Sequence, residues 1–201
     1  MHIYLIEAGP RLLAGMSEES SAHAEQFLRE MGVNILLNKR VVDYRDHKVV
    51  LEDGTEIATR TFIWVSGVTG VTIGNLDASL IGRGGRIKVD SFNRVEGMNN
   101  VFAIGDQCIQ LADENYPNGH PQLAQVAIQQ GELLAKNLIR MEKGQEMKPF
   151  HYRNLGSMAT VGRNRAVAEF SKVKMQGWFA WVMWLVVHLR SILGVRNKEN
   201  V

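Results

Sequence analysis

Residues 2–37 set an apolar run, a capped helix and a second apolar run in immediate succession, and few architectures accept that order. HIYLI at 2–6 reads as a buried strand ending at Glu7. Residues 17–31 read as a helix, with Ser17 as N-cap, Glu18 and Glu19 in the first turn and Gly32 as the stop. Residues 33–37 then form a second strand. Strand–helix–strand is the pattern of a parallel sheet, so the chain is expected to be α/β.

The rest of the chain extends that frame. Short alternating runs at 41–44, 48–51 and 55–58, the last two joined across Asp53–Gly54, predict a β-meander. An apolar strand is expected at 62–65, running into Ser66–Gly67. Glycines recur from Gly67 to Gly85, where a domain boundary is placed. Strands are expected at 86–89 and 101–104, and a long helix opening on Pro121 and reaching about Met141. After a linker at 144–149, a small hairpin at 158–161 and 166–169 precedes a final helix over 176–193.

Composition narrows the partners. With 23 basic and 21 acidic residues in 201, the charge is too balanced to suggest nucleic acid. The single cysteine, Cys108, excludes a disulfide framework and fits a reducing compartment. It reads as a packed thiol. No window reaches the ~20 apolar residues of a membrane span, and the N-terminal residues do not read as a signal peptide.

Three places carry chemistry. In VFAIGD at 101–106, an apolar strand ends in Gly105 and Asp106, bringing the backbone close to a ligand and adding a carboxylate for sugar or ribityl hydroxyls. A plain strand-to-loop turn is the alternative for those six residues alone. The helix that follows offers unpaired N–H groups at its start, which favour negative charge. Gln125 and Gln129 share one of its faces and could donate to a quinone carbonyl, or else are two solvated glutamines. Glu7 ends its strand where a dinucleotide domain places an acid for the adenine-ribose hydroxyls, which favours NADH over NADPH.

WVSG (64–67), NVFAIGD (100–106) and AQVAIQQG (124–131) together resemble the flavoprotein reductases with two dinucleotide domains. The alanine–glutamine helix, GSMATVGRNRAVAEF at 156–170 and the tryptophan-rich end are similar to the C-terminal half of type II NADH:quinone oxidoreductases. The resemblance covers essentially the whole chain. It implies FAD and NADH as cofactors, with Glu7, Gly67, Gly105, Asp106, Ala124 and Gln125 as cofactor-binding residues. Asp106 would hold the FAD ribityl chain, and Ala124–Gln125 would lie by the isoalloxazine. Gln125 and Gln129 would line a pocket for membrane quinone. The implied fold is partial Rossmann-like NAD and FAD domains with a β-meander and a C-terminal amphipathic, membrane-associated helix. Residues 1–67 would be part of the NAD domain, 68–147 the C-terminal part of the FAD domain, and 148–201 the hairpin and anchor. The chain departs from the family in containing no G-x-G-x-x-G, the glycine loop that cradles a pyrophosphate. It is therefore expected to begin inside a domain, and the 201 residues alone are expected to be inactive.

WFAWVMWLVV at 178–187 is apolar all round. Lys172 and Lys174 precede it, and Arg190, Arg196 and Lys198 follow. Tryptophans with basic flanks suit a helix lying on an anionic lipid surface, here the cytoplasmic face of the cell membrane. A helix buried in a homodimer interface is the alternative. The functional rivals are a soluble FAD/NAD-dependent reductase of another acceptor and an inactive membrane-binding module. His120 reads as a loop residue, and 163–165 (RNR) as a hairpin turn.

Overall fold

The structure, a computed structural model, describes residues 2–71, 73–171 and 173–196. The chain divides into two compact units, residues 1–63 with 155–201 and residues 64–154. The described residues from 155 to 196 thus group with the N-terminal segment, where the sequence reading set off 148–201 as a third segment.

In the first unit, β1 (Ile3–Ile6) pairs in parallel with β2 (Val33–Leu36), joined through α1 (Glu18–Glu30) as the sequence pattern requires. Ser17 caps α1 from extended backbone by accepting the Ser20 amide, and Gly32 leaves the helix at φ 82°. The meander is β3 (Val41–Arg45), β4 (Lys48–Leu51) and β5 (Glu56–Ala58), all antiparallel. Asp46 and His47, both at positive φ, make the tight turn between β3 and β4. The hairpin is three-stranded: β8 (Ser157–Thr160) and β10 (Val173–Gln176) flank β9 (Ala166–Phe170). Val167 packs with Met16 and Ala24 of the α1 region, while Ala166 and Ala168 pack with Ala180 of α3 (Gly177–Arg196). Small side chains on β9 thus let α3 approach the sheet closely.

One carboxylate ties these pieces together. Glu169 Oε1 accepts from the Ser17 amide (2.9 Å), the Ser20 hydroxyl (2.6 Å) and the Ser17 hydroxyl. Burial works to raise the Glu169 pKa, but the bonds from Ser17 and Ser20 outweigh it and hold it below the usual value. A depressed folded pKa stabilises above the unfolded value of about 4.3 and loses that contribution as pH falls through the folded pKa. Glu169→Ala is expected to cost about 1–3 kcal/mol in chemical denaturation at neutral pH, and less in acid.

The second unit contains β6 (Ile87–Val89), parallel to β7 (Cys108–Gln110), and α2 (Ala124–Glu142). Three-residue 3-10 turns lie at Ala78–Leu80, Arg83–Gly85 and Gly105–Gln107. Its core gathers Ile87, Val89, Val95, Ala103 and Cys108. Here the sequence reading needs correction. Residues 101–104 form no strand: they meet 93–95 through the Val95–Val101 and Ala103–Asn93 backbone bonds, which amount to a single bridge between Arg94 and Phe102. The ladder forms at 108–110 instead. Residues 62–65 are not a strand either. Ile63, Trp64 and Val65 are exposed, and none of the described strands pairs with them. Nor is Pro121 the first helical residue: α2 starts at Ala124, after an extended Leu123.

Candidate functional site

Gly105 lies at φ 66°, a conformation that favours glycine, and a Cβ there would stand 3.2 Å from the Ala127 Cβ. The turn from Gly105 to Gln107 therefore packs directly on α2. Gln130, fully buried, fixes this contact: its Oε1 accepts from the Gly105 amide at 2.7 Å and from the Cys108 thiol at 3.7 Å. Asp106, next in the turn, is exposed, and among the described residues no side chain hydrogen-bonds its carboxylate. Gln122 donates to the Asp106 carbonyl at 3.1 Å, tying the approach to α2 to the same turn. The helix start itself has neither a side-chain cap nor an acid in its first turn. A glycine turn, an open carboxylate and an uncapped helix start are thus assembled within one unit.

A buried polar frame holds this arrangement from below. Arg86 donates from Nε to the Cys108 carbonyl (2.6 Å) and from Nη2 to the His120 carbonyl (3.1 Å). Burial lowers its pKa, and the neighbouring Cys108 and Asp106 partly oppose this. The Cys108 thiol is pushed up by burial, which suits a packed, unreactive sulfur. His120, two residues before Gln122, is 2% exposed, and its Nε2 lies 2.9 Å from Asp113 Oδ2. Tyr116, Phe150 and Tyr152 surround the imidazole. His120 is therefore a loop residue, as its place before Pro121 suggests, but a buried one.

The remaining sequence-predicted residues fall as follows. Ala124 and Gln125 form the first turn of α2. Gln129 uses both ends of its amide on one backbone, donating to the Arg153 carbonyl (2.9 Å) and accepting the Arg153 amide (3.1 Å). Its expected donation to a quinone would require breaking that clasp. Gly67, at φ 78°, is exposed with open space where a Cβ would lie. The segment after it is pinned to the glycine turn by Gln107, which bonds both the amide and the carbonyl of Val71. Glu7 belongs to the other unit, at the C-terminal end of β1, where its carboxylate accepts the Gly9 amide at 2.7 Å. Sequence reasoning missed Gln130, Gln107 and Arg86. The second glutamine of AIQQG, next to Gly131 in the motif, was the one available signal.

Parallel strands bridged by a helix, an acid closing the first of them, and a glycine–aspartate turn set against a helix start define a dinucleotide-binding oxidoreductase scaffold. Residues 1–131 match the pyridine nucleotide-disulphide oxidoreductase family, and the chain belongs to it. Residues 154–201 match the NDH2 C-terminal domain. A type II NADH:quinone oxidoreductase of Mycobacterium tuberculosis is 35% identical over 98% of this chain and 43% of its own length. An internal alternative NAD(P)H-ubiquinone oxidoreductase from Arabidopsis thaliana mitochondria is 32% identical over 100% of this chain and 42% of its own. The chain thus spans less than half of these relatives. Among solved structures, NDH2 from Plasmodium falciparum in complex with NADH superposes at a TM-score of 0.82, with 20% identity, over 94% of this chain and 54% of that one. The fold is therefore shared across that distance.

Proposed function

We propose that these residues are the C-terminal portion of a membrane-peripheral flavoenzyme that carries electrons from NADH through FAD to a quinone without pumping protons. The observation that carries this reading is the open Asp106 carboxylate beside the uncapped start of α2, locked together by Gln130. The residues fit a flavin. Asp106 would accept hydrogen bonds from ribityl hydroxyls, and the α2 start would favour negative charge on the flavin's pyrimidine side. The 3.2 Å approach at Gly105 leaves room for backbone but not for a side chain. FAD, when bound, supplies the hydride-accepting and electron-passing chemistry, and the protein supplies position and electrostatics. Glu7 would hold the adenine ribose of NADH and repel a 2′-phosphate. Gln125, in the first turn of α2, would meet a quinone carbonyl, while Gln129 holds the Arg153 backbone. α3 would rest on the cytoplasmic membrane surface, close to its lipid-soluble substrate.

The test uses full-length protein containing this chain. Flavin-loaded enzyme should oxidise NADH only when a quinone is supplied, and flavin reduction by NADH without reoxidation by any quinone overturns the reading. Gln125→Leu is expected to slow flavin reoxidation by quinone more than flavin reduction by NADH. A lost carbonyl hydrogen bond of about 1 kcal/mol predicts roughly a fivefold effect in stopped flow. Equal loss in both half-reactions assigns Gln125 to packing. The 201 residues alone should purify without stoichiometric flavin, since they contain no glycine-rich pyrophosphate loop.

A further inference from the structure

The loop between β1 and α1 carries a cation that the reading above does not use. Arg11 stands four residues beyond Glu7. In a dinucleotide domain an acid at the end of this strand selects the free ribose, and an arginine nearby accommodates the 2′-phosphate. By residue type alone the loop therefore carries both signals. The structure separates them. Arg11 donates from Nη1 to the Met16 carbonyl (2.7 Å) and the Leu13 carbonyl (3.4 Å), and from Nη2 to the Ala14 carbonyl (2.8 Å). Both terminal nitrogens of the fork are engaged, and charge-assisted bonds of this kind are about twice as strong as neutral ones. Residues 11–16 are thereby wrapped around the guanidinium, with Leu13 at φ 49°. The Ser21 hydroxyl closes the far side on the Leu12 carbonyl at 2.6 Å, in a buried bond. The Glu7 carboxylate, in contrast, accepts the amide of Gly9, two residues on.

We propose that Arg11 is a specificity-determining residue that acts by being withheld: its guanidinium is committed to the loop, so the loop offers the adenosine ribose an acid and no free cation. This rests on the reading of Glu7 as the ribose acid. It implies that NADH preference has two parts, repulsion by Glu7 and the absence of a free cation, and that removing the first leaves the second in place. Arg11 is then a positioning residue, shaping the loop that presents Glu7 without touching the nucleotide.

The experiment is calorimetric titration of the full-length protein with two redox-inert probes, ADP-ribose and its 2′-phosphate. The unaltered protein should prefer ADP-ribose. Glu7→Ala should bring the two affinities to within about threefold, the unphosphorylated probe losing a hydrogen bond and the phosphorylated one gaining no cation. Arg11→Met keeps the apolar stem. It should weaken both probes by a common factor of about five to ten, with KM for NADH rising and kcat unchanged. A Glu7→Ala protein that binds the 2′-phosphate more tightly by tenfold or more overturns the proposal, because a cation has then reached the phosphate. So does an Arg11→Met protein that loses only the phosphorylated probe. If Arg11→Met does not fold, the Glu7→Ala comparison decides by itself. Failure of the unaltered protein to bind either probe removes the nucleotide site, and the proposal with it.

Discussion

Full-length protein lacking residues 176–201 is expected to stay at the bottom of a density gradient in which the intact protein floats with anionic liposomes. Among the described residues, no helix is long and apolar enough to cross a membrane. The run from Trp178 to Val187 is about 15 Å of helix, half a bilayer core. Yet α3 is not simply a core helix. Ala180 is fully buried against β9, while Trp178, Phe179, Val186, Val187 and Leu189 stand exposed. Trp178 meets Phe179 edge to face, and Trp184 stacks on His188, so the outward surface is largely aromatic and apolar. The basic flank is weaker than the sequence suggests: Lys174 pairs with Glu19 at 3.0 Å. Lys172, Lys198 and the side chain of Arg196 lie outside the described residues. Fully burying each exposed large side chain is worth about 1.5–3 kcal/mol, against about 1 kcal/mol for a cation near an anionic surface. Apolar contact should dominate, and flotation should survive raised salt. Because deletion also removes Ala180 and Trp181 from the sheet's packing, Trp178→Ser with Phe179→Ser gives an independent test at exposed positions. Equal flotation of the intact and altered proteins places the anchor elsewhere and leaves α3 to a dimer interface.

What the sequence revealed, and what it concealed, follow from how local each signal is. The Ser17 cap, the Gly32 stop and the alternation at 41–58 are written within a few residues, and each element formed where it was expected. Strands at 62–65 and 101–104 were expected from apolar composition, but a strand depends on what lies beside it. In the second case the partner segment, 93–95, supports only the bridge between Arg94 and Phe102. Pro121 was read as a helix opener because proline suits that position, yet the Leu123 amide bonds the Pro121 carbonyl in a tight turn first. The candidate site was legible as a motif, Gly105–Asp106 followed by the α2 start. Its supports were not, because Arg86, Asp113 and Gln130 act through partners 7 to 34 residues distant. Gln129 makes the same point in reverse: its helix face suggested a ligand, and its amide went to the Arg153 backbone.

His120→Phe is expected to be the most damaging single substitution in the second unit. The ring would still fit among Tyr116, Phe150 and Tyr152, so the loss isolates the polar contact to Asp113. Burial works to raise the Asp113 pKa. The bond to His120 and the amides of Asn115 and Tyr152 outweigh it, and the carboxyl stays below its usual value. At neutral pH the side chain is therefore a carboxylate, 3% exposed, with His120 its side-chain partner. Removing the His120 partner of this buried carboxylate should cost about 1.5–3 kcal/mol, the worth of a hydrogen bond to a charged group, with the Asn115 and Tyr152 amides still in place. Chemical denaturation of the full-length protein should show this loss at pH 7. In the unaltered protein the contribution is complete above the unfolded carboxyl pKa of about 3.9 and is lost as pH falls through the lower folded value. His120→Phe should therefore flatten the acid side of the stability curve as well as lower it. The effect should reach the cofactor, since the His120 carbonyl is a hydrogen-bond acceptor of Arg86 and its chain runs directly into the approach to α2. Flavin should dissociate from the variant at lower denaturant than from the unaltered protein. A stability loss below about 1 kcal/mol, the net worth of an ordinary hydrogen bond, would show that the aromatic cage alone holds this corner.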